Sequence, residues 1–358
     1  MGSSRRTLLI RADADATIGA GHVMRCFALG QAWRKARGEV ALAVTSDLPA
    51  ALLEPLTTEE ISIHRLLAAP GSEADATQTS ELASELDALW VVVDGYQFGA
   101  AYQQAIKDSG LPLLVLDDFG HADHYYADLV LNQNSRAHES HYRSREPYTH
   151  LLLGPQYVLL RDEFRPWGDW QRRIPDVARR VLVSLGGADP KNVTLKVVQA
   201  LRQVQVESLE AVIVVGASNP HTDTLQFAAR RLRSDTRSSR VRTRIESNVT
   251  SMATLMAWAD LAVSAEGSTC WELLYLGLPS IVLVLADNQK GIARELAAKG
   301  AILNMGSHET ATEHDIATVL GRLAMDPKRR RAMSERGRRL LDGHGADRVA
   351  RILMESLV

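Results

Sequence analysis

A chain of 358 residues is longer than one hydrophobic core usually supports, so two domains are the expectation. Apolar residues at 46% and charged residues at 23% are globular proportions and exclude a disordered chain or a fibre. With 41 basic against 43 acidic side chains the formal net charge is −2, and no global positive field draws the chain to nucleic acid or to an anionic membrane. The basic clusters at 230–244 and 328–339 are interrupted by apolar residues at helical or strand spacing and read as solvated faces. Cys26 and Cys270 show no metal-finger spacing and point to a reduced, cytoplasmic interior. Residues 1–7 lack an apolar signal-peptide region, and no apolar run approaches the roughly 20 residues of a membrane span.

In chain order, 7–11 reads as a strand, 22–36 as a helix, 40–45 as a strand and 90–94 as a strand ending in an acid. A helix at 102–108 and strands at 113–117 and 128–132 follow. Apolar runs of about five residues separated by helices predict a parallel sheet buried on both faces, doubly wound. The pattern breaks over 161–175, which is charged, aromatic and proline-bearing, and the domain boundary belongs there. The rhythm then restarts, with strands at 180–184, 210–215, 240–245, 261–264 and 280–285. Between them lie helices at 192–203, 223–234, 249–257, 270–276 and 289–299. The expectation is therefore two Rossmann-like domains, 1–165 and 166–335, facing a cleft. The tail, 336–358, is helical with a break at Asp342-Gly343-His344-Gly345; it either caps the second domain or crosses back to the first.

Four segments at strand ends offer chemistry. Ile18-Gly19-Ala20-Gly21-His22, running on to Arg25, opens the first helix: the glycines allow close backbone approach, and the helix start favours an anion. His22 there suits a general base kept neutral by the helix dipole, although a glycine turn with an incidental histidine fits the residues as well. The dinucleotide fingerprint is incomplete, because Arg25 lies near the place of its third glycine. Gly186-Gly187, with Asp189 or Asn192 as a helix cap, is a phosphate loop or a plain turn. Gly267-Ser268-Thr269 opens another helix, with Glu272 one turn in; this is a diphosphate and ribose site or a capping box. Asn288-Gln289 suits hydroxyl or N-acetyl recognition, or simply a loop. Asp94 and Asp117-Asp118 read as turn-forming acids, and His121, Asp123 and His124 as an exposed loop in preference to a metal site. HExxH, GxxxxGK[ST] and GxSxG are absent.

Read together, these segments resemble a known family. The residues are Arg11-Ala12-Asp13, Gly19–His22 with Arg25, Asp94-Gly95-Tyr96 and Asp117-Asp118, then Gly154-Pro155-Gln156-Tyr157 and Leu160-Arg161-Asp162-Glu163-Phe164. Ser184–Asp189, Gly267-Ser268-Thr269 with Glu272, and Asn288-Gln289 complete the series. It is similar to the UDP-2,4-diacetamido-2,4,6-trideoxy-β-L-altropyranose hydrolases of pseudaminic-acid biosynthesis, within the wider group of GT-B glycosyltransferases. The resemblance implies a C-terminal domain that holds UDP, with Gly187, Ser268, Thr269 and Glu272 around diphosphate and ribose. It implies His22 as the base that activates water, Gly21 and Arg25 beside it as substrate-binding residues, and Tyr96, Asn288 and Gln289 on the sugar. No metal or other cofactor is implied. The partner is a small-molecule UDP-sugar, with no nucleic acid and no membrane span, and the expected state is a monomer. The same nucleotide motifs fit a glycosyltransferase, or a hydrolase of a related diacetamido sugar.

Overall fold

A computed structural model describes residues 6–14, 19–216, 219–234, 241–247, 249, 251–286 and 289–356. The chain divides into two compact units, Met1–Asp162 with Gly343–Val358, and Glu163–Asp342.

The first unit carries β1 (Thr7–Ala12), α1 (Gly21–Lys35), β2 (Glu39–Val44), α2 (Ala50–Thr58), β3 (Ser62–Arg65) and α3 (Glu73–Glu85). β4 (Ala88–Asp94), α4 (Ala100–Asp108), β5 (Leu113–Leu116), β6 (Leu129–Asn132) and β7 (His150–Leu153) follow. The sheet runs β3-β2-β1-β4-β5-β6-β7, all parallel. All six residues of β1 are buried, as a central strand covered by helices on both faces requires. Two cores lie on the sheet's opposite faces, one around Trp33 and Leu29 of α1, the other around Phe98 before α4 and Tyr102 within it. Strand order reverses between β1 and β4, and in open α/β sheets such a switch point is where ligands bind.

Arg11 and Asp13 frame that end of the sheet. Arg11, fully buried, donates from Nε and Nη2 to Asp75, at 2.9 Å each, and its Nη1 lies 2.7 Å from Asp13. Asp13 in turn accepts from the backbone N and hydroxyl of Thr45. Buried charge is tolerated here because it is paired and hydrogen-bonded from both sides.

The second unit carries β8 (Arg180–Ser184), α5 (Val193–Leu201), β9 (Leu209–Val215), α6 (Thr222–Ser234), β10 (Val241–Ser247), α7 (Met252–Trp258) and β11 (Leu261–Ala265). α8 (Ser268–Tyr275), β12 (Ser280–Val284), α9 (Lys290–Ala298), β13 (Leu303–Ser307), α10 (Glu313–Ala324) and α11 (Pro327–Arg338) complete it. Its parallel sheet runs β10-β9-β8-β11-β12-β13, with the switch point between β8 and β11. Caps written in the sequence start its last helices: Thr312 and Asp315 form a capping box on α10, and Asp326 with Pro327 opens α11.

The final helix, α12 (Gly345–Glu355), belongs to the first unit. Val349 and Leu353 enter the core beside α1, and the Trp90 indole donates to the Leu353 carbonyl at 2.9 Å.

Candidate functional site

At the first unit's switch point α1 is the helix that follows β1, while Asp94 ends the neighbouring strand β4. Gly19 has φ +76°, a conformation open to glycine at no steric cost, and α1 starts at Gly21 with no side chain capping it and no acid in its first turn. One turn of helix places His22 and Arg25 on the same face, both directed at β4. His22 Nδ1 lies 2.6 Å from Asp94 Oδ1. Arg25 grips the same carboxylate from Nε at 2.6 Å and Nη2 at 2.7 Å, and donates from Nη1 to Asp118 at 2.7 Å. Asp118 also accepts from Asn134 at 3.0 Å and from the Tyr96 hydroxyl at 2.8 Å. The Tyr96 ring stands edge-on to His22, with centroids 5.3 Å apart.

The charges of this cluster follow from their pairing. Burial alone would raise Asp94, but the Arg25 guanidinium and then His22 outweigh it and hold the carboxyl well below the usual range. Burial likewise opposes the charge on Arg25, and Asp118 and Asp94 more than restore it. Burial and the Asp118 charge push the Tyr96 phenol far up, so it stays a neutral donor. Ionised Asp94 can only accept, so the hydrogen-bond network assigns a His22 proton to Nδ1, and in the neutral ring Nε2 carries the lone pair. That is the tautomer a general base needs, held by a carboxylate as well as by a helix start. Sequence reasoning placed His22 under the helix dipole alone. It took Asp94 for a turn-forming acid, whereas the residue is buried and ion-paired.

Arg25 is thus oriented by Asp94 and Asp118. Asp117 does form a turn: its carboxylate accepts from the backbone N of Asp118, Phe119 and Gly120 and from the Tyr125 hydroxyl. His121 is not in an exposed loop. Its side chain is buried with Nδ1 3.3 Å from Asp117, while His124 turns to Ser144 and Glu146. Sequence reasoning passed over Phe119, which lies on this turn 5.1 Å from Tyr96, because a single aromatic in a loop carries no periodic signal.

At the second unit's switch point the loop after β8 and the start of α8 after β11 lie on adjacent strands, and Ser264 Oγ ties them by donating to the Ser184 carbonyl at 2.9 Å. Gly186 has φ +94° and open space where a Cβ would sit. Gly187 packs against Gly216 so closely that a Cβ on Gly216 would stand 2.1 Å from the Gly187 carbonyl oxygen. The helices that follow differ. Asp189 caps α5, accepting from the backbone N of Val193 at 2.9 Å and of Thr194 at 2.8 Å, whereas Asn192 at the N-cap position makes no side-chain cap. α8 begins at Ser268 after Gly267, with neither a side-chain cap nor an acid in its first turn, so Glu272 does not build a capping box. Bare N–H groups at a helix start are an anion site, and of these two helices only α8 presents them uncapped.

Thr269 and Glu272 sit on α8, and Gln289 ends the loop after β12. The Gln289 side-chain Oε1 accepts from the backbone N of Leu285 at 2.8 Å and of Ala286 at 3.2 Å, which leaves its side-chain Nε2 for other partners. Asn288 and Ile18 lie outside the described residues.

Two parallel-sheet α/β units of this kind define the GT-B fold. Residues 181–345 match the sequence profile of the glycosyltransferase family 28 C-terminal domain, which covers most of the second unit. Among solved structures the chain is similar to MurG of Acinetobacter baumannii, with a TM-score of 0.70 at 18% identity over 98% of this chain and 99% of that one.

Among curated proteins it is 29% identical to the spore coat polysaccharide biosynthesis protein SpsG of Bacillus subtilis (strain 168), over 58% of this chain and 59% of that protein. It is 32% identical to the UDP-N-acetylglucosamine–N-acetylmuramyl-(pentapeptide) pyrophosphoryl-undecaprenol N-acetylglucosamine transferase of Azotobacter vinelandii, over 52% of each. A further similarity, 23% over 59% of this chain and 37% of the other, is to the pseudaminic acid cytidylyltransferase and UDP-2,4-diacetamido-2,4,6-trideoxy-β-L-altropyranose hydrolase of Helicobacter pylori. The chain thus spans between 37% and 59% of the length of these three relatives.

Proposed function

We propose that this chain is a nucleotide-sugar enzyme in which the second unit holds the UDP of a UDP-sugar and His22 of the first unit deprotonates an acceptor hydroxyl. The observation that carries the reading is the His22–Asp94 pair at 2.6 Å, which leaves a lone pair on Nε2 at a switch point of the sheet. In the proposed step the hydroxyl proton passes to Nε2 and the oxygen attacks the anomeric carbon. The bond from that carbon to the β-phosphate oxygen breaks, UDP leaves with the electron pair, and the configuration inverts. The uncapped start of α8, with Ser268, Thr269 and the Gly187 loop, suits the diphosphate, and Glu272 the ribose diol. Tyr96, Asn288 and Gln289 are assigned to the sugar. Gly21 lets the chain approach it, and Arg25 positions Asp94 and Asp118.

Transfer is the leading reading. The relative named for transfer is 32% identical over 195 residues, and the one named for hydrolysis is 23% identical over 213. Hydrolysis is the second reading: water replaces the acceptor in the same step, and the sugar is the diacetamido-trideoxy altrose carried by UDP. It rests on the Helicobacter pylori relative and on the residues quoted above for the resemblance.

Product analysis tests both. The protein is incubated with UDP-N-acetylglucosamine and with the UDP-diacetamido sugar, with and without a bacterial lipid extract as acceptor source. UDP release that needs the extract supports transfer, and equal release without it supports hydrolysis. The His22→Asn variant is expected to lose about 10²–10⁴-fold in rate with UDP affinity unchanged. Wild-type rate in that variant overturns the assignment of the base.

A further inference from the structure

His22 stands beside a cation. Arg25 Nη2 lies 3.4 Å from His22 Nδ1, the ring nitrogen that carries a proton, and a guanidinium has no atom to accept with. The two groups are donors side by side, and one oxygen holds them there. Asp94 Oδ1 accepts from Arg25 Nη2 at 2.7 Å and lies 2.6 Å from His22 Nδ1. A base in this place meets an obstacle when it acts. A proton on Nε2 turns His22 into an imidazolium, next to a guanidinium already bound to both Asp94 oxygens. One carboxylate cannot neutralise two cations.

The second carboxylate is Asp118. Its Oδ1 lies 2.7 Å from Arg25 Nη1, the guanidinium nitrogen that Asp94 does not use, so the cation has a carboxylate on each side. Among the described residues, the other titratable groups facing the cluster leave this count as it is. Cys26, on α1 and 3.5 Å from Asp94, is kept a thiol by burial and by the Asp94 charge. Tyr96, on the turn after β4, is kept a phenol by burial and by the Asp118 charge. His121, on the turn after β5, is paired with a carboxylate of its own, Asp117, at 3.3 Å. Two carboxylates therefore face one cation while His22 is neutral, and two cations once it holds the proton. The cluster is anionic before the transfer and balanced after it.

We infer that Asp118 is a positioning residue for the base: it neutralises Arg25 and so leaves the charge of Asp94 to the imidazolium that His22 becomes. The inference rests on the reading of His22 as the base and adds the group that lets it hold a proton beside Arg25. Fixed charges of this kind act without reorganising, because they are in place before the proton moves. Asp118 itself takes no proton and touches no reacting atom.

Two variants with opposite expected signs provide the test. Asp118→Asn removes the charge and keeps the contacts: the amide oxygen can accept from Arg25 and Asn134, and the amide nitrogen can donate to the Tyr96 hydroxyl. Arg25→Gln removes the opposing charge. The full chain is labelled with carbon-13 at histidine Cε1 and titrated by NMR without ligand, the His22 signal being assigned by its loss in His22→Asn. Relative to wild type, the His22 midpoint is expected to move down by about half to one pH unit in Asp118→Asn, and up in Arg25→Gln. The acid limb of UDP release should move down with it in Asp118→Asn. A residue that only braces the turn would lower Tm in Asp118→Asn and leave the midpoint in place, and that result overturns the inference, whether or not Arg25→Gln folds. Shifts of the same sign in both variants overturn it as well. A midpoint that moves as expected, while His22→Asn releases UDP at the wild-type rate, supports the charge pairing and overturns the reading of the base instead.

Discussion

Asp94 Oδ1 lies 2.6 Å from His22 Nδ1, although the two residues are 72 positions apart in the chain. The contact exists because β4 is laid beside β1 at the switch point, so that a strand's last residue meets a helix's second. If Asp94 fixes the tautomer of His22, Asp94→Asn should lower turnover by about 10²–10⁴-fold, since an amide can present its NH₂ to Nδ1 and exchange the roles of the two ring nitrogens. UDP affinity should not change. Rates and UDP titrations on one preparation check this, and a variant that only melts earlier, with its rate at a permissive temperature intact, refutes it.

Acid should unfold the protein by way of two carboxylates. Burial would raise Asp94 and Asp117, but Arg25 and His22 for the first, and His121 and Tyr125 for the second, hold both below the usual range. An unfolded aspartate titrates near about 3.9, so below that pH the unfolded chain takes up protons that the folded chain refuses. The stabilisation is therefore complete above about pH 5 and is lost as pH falls through 4 and below. Urea midpoints between pH 5.5 and 3.5 should drop steeply in wild type and less steeply in Asp117→Asn. Parallel curves would show that Asp117 is not the group involved.

Ser268→Asp separates stability from binding. A carboxylate in the first turn of α8 meets the positive end of an uncapped helix, which is worth about 0.3–1 kcal/mol to the fold. The same charge repels a diphosphate, and UDP should bind about tenfold more weakly or worse. The expected pattern is an unchanged or higher Tm with lost affinity. Unchanged UDP affinity would move the nucleotide away from this helix.

Much of the fold was legible, and the exceptions have more than one cause. Buried central strands such as β1 and β8 are continuous apolar runs and fall within a residue or two of their expected bounds. The edge strands β3 and β13 went unseen because Ser-Ile-His-Arg and Leu-Asn-Met-Gly-Ser are covered on one side at most and contain no such run. α2 holds Pro55 inside it, which reads as a helix break, and α3 buries only Asp75, Ala76, Thr79 and Ala83, with no large apolar side chain among them. α10 was readable, from Thr312 with Asp315 followed by Ile316, Leu320 and Leu323, and was missed. At the site, the glycine turns and His22 carry local signals, whereas Asp94, Asp118, Asn134 and Phe119 meet only through sheet order, which no local pattern encodes.

Gly216→Ala probes the second unit's loop. The added Cβ would lie 2.1 Å from a backbone oxygen of Gly187, so main chain has to move, at a cost of about 1–3 kcal/mol. Both the urea midpoint and UDP affinity should fall. Gly321→Ala on α10 is the control: its Cβ meets nothing within 4 Å, and it should stabilise by about 0.5–1 kcal/mol. Equal midpoints in the two variants would mean that the Gly187 contact is not tight.

The return of α12 to the first unit has a consequence for synthesis on the ribosome. The partner of Trp90 and the side chains Val349 and Leu353 are translated only after the whole of Glu163–Asp342. The second unit can reach its native form while the nascent chain is still growing. The first must wait with an apolar face open for the time it takes to make 180 further residues, roughly ten to forty seconds at elongation rates of about 5–20 residues per second. During that interval the face around Trp90 and α1 is the part of the molecule most in need of a chaperone, and a ribosome that stalls before Gly343 leaves it uncovered.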